Sequence, residues 1–325
     1  MKTPKRLIAL FLLSFAACAS LSFVSIEANA RGIRGELTLN GTHDLQLEAG
    51  KAAEFRFRFT DTASGKLITK FKKLHQRSMH LVILRSDLST IAHVHPIQFG
   101  DTGEFVIFLN QKLFDPDNFQ SPNAISKSGE YYLYAEIFPD RGNVYPVAEI
   151  ASLTVTASSD KTTDNTTLAA DAVSSNGEIV KYFGQNQEPS NWGAAYRVSL
   201  KPAVVPGCDG NLIHFDFELK KWNPEIEFYE IVYSYNKWLG MAGHALMVSD
   251  VGGTPEAKSF VHMHSMKNVT THLLRYSIHD RKEVPKGLQK IWIQVKPGDE
   301  VLTFPFVIDY SAEYLPPAGC PSQLN

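Results

Sequence analysis

MHLVILRSDLSTIAHVHP (79–96) reads as strand, turn, strand, and GHALMVSDVGGTPEAKSFVHMHS (243–265) repeats the pattern with five extra residues in its turn. If Leu84 faces Ile91 across the first turn, Val82 faces His93 and His80 faces His95. Directly opposed residues project from the same face of a sheet, about 5 Å apart at Cβ, so three imidazoles converge. The second copy offers His244, His262 and His264 in the same arrangement, and a one-residue slip would scatter either set.

The flanks are duplicated as well. GKAAEFRFRF (50–59) aligns with GNLIHFDFEL (210–219), and GEYYLYAEIFPDRGNVYPVAEI (129–150) aligns with GLQKIWIQVKPGDEVLTFPFVI (287–308). Alternating aromatic and β-branched residues between Gly, Pro, Asn and Asp argue for short strands, and no segment carries a 3.6-residue apolar period. The expected fold is therefore all-β, two tandem sandwiches of the Ig-like or cupredoxin-like kind. Residues 158–178, SSDKTTDNTTLAADAVSSNGE, hold no aromatic side chain and read as a flexible linker between domains 31–157 and 179–325.

Residues 1–30 stand apart from the fold. Lys2, Lys5 and Arg6 precede an apolar run from Leu7 to Val24, and Ala28-Asn29-Ala30 fits a cleavage site, so an exported chain starting at Arg31 is expected. Phe15-Ala16-Ala17-Cys18 supports the alternative of a lipoprotein, with membrane attachment only if Cys18 is lipidated. The location that follows is the periplasm or the cell surface.

Of 325 residues 44% are hydrophobic and 20% charged, which leaves ample material for a core. The formal net charge is −2, giving no electrostatic case for nucleic acid. Beyond the leader only Cys208 and Cys320 remain, an even pair for which a disulfide is the expectation in an exported protein.

Three imidazoles on rigid strands can bind copper or zinc through their neutral nitrogens. His75, five residues before His80, is a further candidate for the first site. Apart from Met1, every methionine (Met79, Met241, Met247, Met263 and Met266) falls within 75–96 or 241–266. Thioether beside imidazole favours copper over zinc, Cu(I) above all, so Met79 and Met241 join the six histidines as candidate ligands. Methionine also fills irregular cores, and alternation turns Met263 away from His262 and His264. No P-loop, G-x-G-x-x-G or G-x-S-x-G is present. Asp87 and Asp250 can be read as general bases, but each follows a serine in a turn, where Asp is an ordinary turn former.

NKWLGMAGHALMVSD, FVHMHS and GLQKIWIQVKPGDEVLTFPFVI together resemble a family of small exported bacterial Ig-like domains. That family carries a glycine-histidine strand followed by a histidine-x-histidine-proline strand. The resemblance implies a cell-envelope protein that accompanies copper or other heavy-metal handling, with His80, His93, His95, His244, His262 and His264 as ligands. Two departures stand out: Leu74 to Met79 replace the glycine-rich lead-in of the first copy, and Ser265 replaces proline in the second.

The expected function is thus a metal-binding envelope protein with the metal ion, and in some settings another envelope protein, as partner. An Ig-like interaction or adhesion module, binding protein or glycan with structural histidines, is the alternative. A metalloenzyme with an open histidine site is the third class.

Overall fold

The computed structural model describes residues 32–110, 124–140, 149–158, 168–184, 194–205, 212–238, 240–249, 260–265, 272–278 and 287–310. The leader, Cys18, Cys208, Cys320, Asp250 and Met266 lie outside the described residues. The first half contributes β1 (Ile33–Leu39), β2 (Gln46–Glu48), β3 (Ala53–Asp61), β4 (Met79–Arg85), β5 (Ile91–Val94), β6 (Ile97–Gln98), β7 (Glu104–Leu109), β8 (Gly129–Ile137) and β9 (Glu149–Ser158). The second contributes β10 (Ile179–Phe183), β11 (Tyr196–Val205), β12 (Leu212–Asn223), β13 (Phe228–Ile231), β14 (Gly243–Ser249), β15 (Phe260–Ser265), β16 (Leu274–Ile278), β17 (Gly287–Val295) and β18 (Leu302–Tyr310).

Among the described residues the architecture is all-β. Sheets of order β1-β3-β7-β6 and β2-β9-β8-β4-β5 form the first sandwich. Sheets β10-β11-β12-β13, with β16 also on β12, and β15-β14-β17-β18 form the second. The alternation in EFRFRF does the expected work: Phe55, Phe57 and Phe59 are fully buried, packed in one core with Leu81, Ile83 and Leu133, while Arg56 and Arg58 point outward and bind Glu104. Burying a side chain of this size contributes about 1.5–3 kcal/mol. Phe215, Phe217 and Leu219 repeat the role against Ala245, Met247, Ile291 and Phe306.

Strands β4 and β14 break the half-polar rule, for all seven residues of each are buried. An antiparallel strand reads this way only when both faces of its sheet are covered. On β4, Met79, Leu81 and Ile83 face the first core; on β14, Ala245 and Met247 face the second. The alternate residues Val82, Leu84, Leu246 and Val248 join Leu88, Tyr132, Tyr134 and Trp292 in a third apolar cluster between the sandwiches. Tyr134 stacks on Phe260 there, centroids 4.7 Å apart and planes 6° from parallel. The outer faces of the two central sheets are thus sealed against each other.

Part of the expected flexible linker is held in place. Leu168 packs against the third cluster, and Asp171 clasps β18: its N–H donates to the Val307 carbonyl at 2.9 Å, its carboxylate accepts from the Val307 N–H at 2.7 Å and pairs with Lys181 at 2.9 Å. A polar segment needs no core of its own when one carboxylate can satisfy the edge of a strand.

The candidate metal centre

The β4–β5 register pairs Val82 with His93 and Leu84 with Ile91, and the β14–β15 register pairs Leu246 with His262 and His244 with His264. Both hairpins therefore turn their histidines to one face. That face is the interface, so the two sets meet. Ring centroids of His80 and His93 lie 5.6 Å apart, as do those of His244 and His262. His80–His95 is 5.0 Å and His244–His264 is 4.9 Å. Across the interface, His80–His262 and His93–His244 are both 5.4 Å, and His93–His262 is 4.9 Å. The duplication has become a pseudo-twofold axis running through one histidine cluster.

Among the described residues two triads bring one nitrogen from each ring within 4.8 Å of the others: His80–His93–His262 and His244–His262–His264. The second is the set expected from sequence. The first takes His262 from the other sandwich where the sequence reading places His95. His95 packs on His93 at 4.7 Å and lines a cleft of about 530 Å³ together with Gln76, Arg77 and Asp140.

Each ring of the first triad has one nitrogen engaged. His80 Nε2–H donates to the Leu74 carbonyl at 3.3 Å, His93 Nδ1–H to Gln294 Oε1 at 3.2 Å, and His262 Nδ1–H to Glu136 Oε2 at 2.9 Å. The other nitrogens, His80 Nδ1, His93 Nε2 and His262 Nε2, are buried without a hydrogen-bond partner, as are both of His244 and Nε2 of His264. Leaving buried polar atoms unsatisfied costs about 1–3 kcal/mol each, and such a concentration of them needs a reason. A ring fixed through one nitrogen with the other bare is the arrangement metal-ligating histidines adopt. The His262 and His93 anchors both cross between the sandwiches.

Burial keeps the cluster neutral, which is the ligand state. It pulls His80 down to about 4, and it holds His93, His244 and His262 well below the ordinary imidazole value, the neighbouring rings adding to the effect. Burial pushes the Glu136 carboxyl upward, against the pull of His80 and His75. Glu136 is the negative group seated at the first triad, its side chain 13% exposed.

The methionines are another matter. Met79 is fully buried in the first core, and Met247 and Met263 lie in the second. Strand alternation sends them to the face opposite the histidines, so Met79 is not a ligand. Met241 sits in the lead-in turn, its backbone bonded to Trp238. Both lead-ins make the same small bridge, Leu74 to Arg77 and Trp238 to Met241, placed identically before His80 and His244. Without glycine, the first copy still turns there, by placing His75 and Gln76 at positive φ (49° and 69°). His75 thereby reaches His264, at 4.0 Å between centroids.

Asp87 accepts from the Ser89 N–H at 3.0 Å and pairs with buried Arg85, which makes it a hairpin residue. The sequence reading does not single out Glu136, Gln294 or Trp238. The signal was available: the alignment of 129–150 with 287–308 sets Glu136 against Gln294, each on the strand beside a glycine- or methionine-led histidine strand. Trp238 covers the cluster from the lead-in, 4.6 Å from His244 and 5.4 Å from His93.

Residues 34–158, which make up the first sandwich, match a domain of unknown function, DUF8832. No curated protein matches the chain. Among solved structures, a protein of Corynebacterium diphtheriae described as membrane anchored aligns with a TM-score of 0.20 and 11% identity, over 91% of this chain and 61% of that one. The chain thus spans about three fifths of that structure's length.

Proposed function

We propose that this is an exported protein that holds a transition-metal ion in a histidine-only site between its two sandwiches, as a buffer or carrier without turnover. The observation that carries the reading is the His80–His93–His262 triad, with one nitrogen of each ring anchored and the other buried and bare. Imidazole donors suit Cu(II) and Zn(II), and copper stands ahead of zinc by the general order of divalent affinities. With Met79, Met247 and Met263 in the cores, the thioether argument for Cu(I) is left, among the described residues, with Met241 alone. Glu136 fits a divalent ion, since a buried carboxylate beside the triad offsets part of the incoming charge. His80, His93 and His244 are at most 1% exposed, which suits storage better than access by a substrate. Export rests on the leader of residues 1–30, and attachment to a membrane on Cys18.

Elemental analysis of folded protein after exposure to Cu(II) or Zn(II), followed by titration, tests the reading. Retained metal at micromolar concentration supports it. Folded protein that binds neither ion would shift the reading to an interaction module with structural histidines.

A further inference from the structure

The two triads are not independent, because both use His262. Its Nδ1 proton is committed to Glu136 at 2.9 Å, so one lone pair, on Nε2, serves either triad but not both at once. We infer that the chain holds one ion at a time in two alternative stations that share His262, and that the ion passes between them by exchanging the other two ligands. This rests on the metal-binding reading above and adds its stoichiometry and its route.

The stations differ in depth and in support. The inner one is completed by His80 and His93, 1% and 0% exposed, with all three rings anchored through hydrogen bonds. The outer one is completed by His244 and by His264, which is only partly buried and is covered by His75 from the lead-in turn. Moving inward, an ion keeps its bond to His262 Nε2 while nitrogens of His80 and His93 replace those of His244 and His264. No proton or electron changes place in that exchange, and no redox partner is needed. Two divalent ions in the cluster would also sit close together with Glu136 as the one carboxylate against it among the described residues, which opposes double occupancy.

The test is Cu(II) titration of the full chain, read by native mass spectrometry and electron paramagnetic resonance, with Zn(II) as a second probe. The wild-type chain should bind one equivalent and give two overlapping copper signals. His80→Ala should keep one equivalent with only the outer signal, His264→Ala one equivalent with only the inner signal. His262→Asn should weaken binding at least 100-fold, with circular dichroism showing that it is folded; if it is not, the two single variants carry the test. Two tight equivalents in the wild-type chain would overturn the inference, since separate sites such as His80–His93–His95 and His244–His262–His264 would then exist. Loss of all binding in either single variant would also overturn it, by confining the ion to one station. No binding by the wild-type chain would instead defeat the metal reading itself.

Discussion

Glu136 and Gln294 occupy the same position of the duplicated fold, one facing His80 in the β4–β8 ladder and the other facing His244 in the β14–β17 ladder. Each reaches across the interface to the other half's histidine, Glu136 to His262 and Gln294 to His93. The cluster is nearly symmetric in its rings and asymmetric in its charge. A symmetric pair of either half would carry two carboxylates or none.

Glu136→Gln should therefore lower metal affinity about 10- to 100-fold, the usual effect of losing a carboxylate behind a ligating histidine. The amide oxygen can still accept from His262 Nδ1, and burying a carboxylate is costly, so the metal-free protein should lose no stability. Competition against a chromophoric chelator and a thermal melt read the two effects. Unchanged affinity would contradict the role given to Glu136.

Acid should destabilise the metal-free protein well before carboxylates titrate. In the unfolded chain the histidines take protons near pH 6.5, whereas in the fold burial holds His80 down to about 4 and His93, His95, His244 and His262 well below their ordinary value. As pH drops below 6.5 the unfolded state binds protons that the folded state refuses. Stability is complete above 6.5 and is lost downward to about 4, where His80 begins to charge in the fold, at up to about 1.4 kcal/mol per ring per pH unit. Glu136, raised by burial, acts in the opposite sense. Urea midpoints at pH 7.5 and 5.5 measure this, and equal midpoints would refute it.

The apolar cluster of Val82, Leu84, Tyr134, Leu246 and Trp292 should make the two sandwiches melt together. Leu246→Asp buries a charge there without a partner and should split one calorimetric transition into two. It should also weaken metal binding, because the inner triad draws on both halves. Proteolysis within 159–167 offers a companion measurement: wild-type fragments should co-elute, and those of the variant should separate.

Gly243 explains the glycine of the glycine-histidine strand. A Cβ there would lie 2.2 Å from the hydroxyl of Tyr276, which is fully buried. Gly243→Ala should cost about 1–3 kcal/mol through overpacking, and Tyr276→Phe in the same chain should recover much of it. Denaturant unfolding of the single and double variants decides, additive losses being the contrary result. The first copy resolves the same space differently. Met79 replaces Gly243, and Ile107, paired with Phe55 as Tyr276 is with Phe215, replaces the tyrosine.

The hairpins were legible because a period of two fixes which side chains share a face, and the Val82–His93 and Leu246–His262 pairings follow from it. The methionine reading failed at Met79 for the same reason, since alternation that gathers histidines on one face sends their neighbours to the other. What no local period encodes is docking, and His262 entered the first triad through docking alone. A trace of it was nonetheless present. MHLVILR is apolar at nearly every position, and an antiparallel strand so composed must be covered on both sides.

The clasp of Asp171 on β18 sets the reach of the tether. With Leu168 and Asp171 fixed to the folded body and β9 ending at Ser158, nine residues separate the anchored ends. At about 3.3–3.6 Å per residue that chain extends to roughly 30–35 Å at most. Sandwiches parted from each other would stay within that radius, where tethers of this length give effective concentrations in the millimolar range. Re-closure would then be a unimolecular event, indifferent to how dilute the protein is.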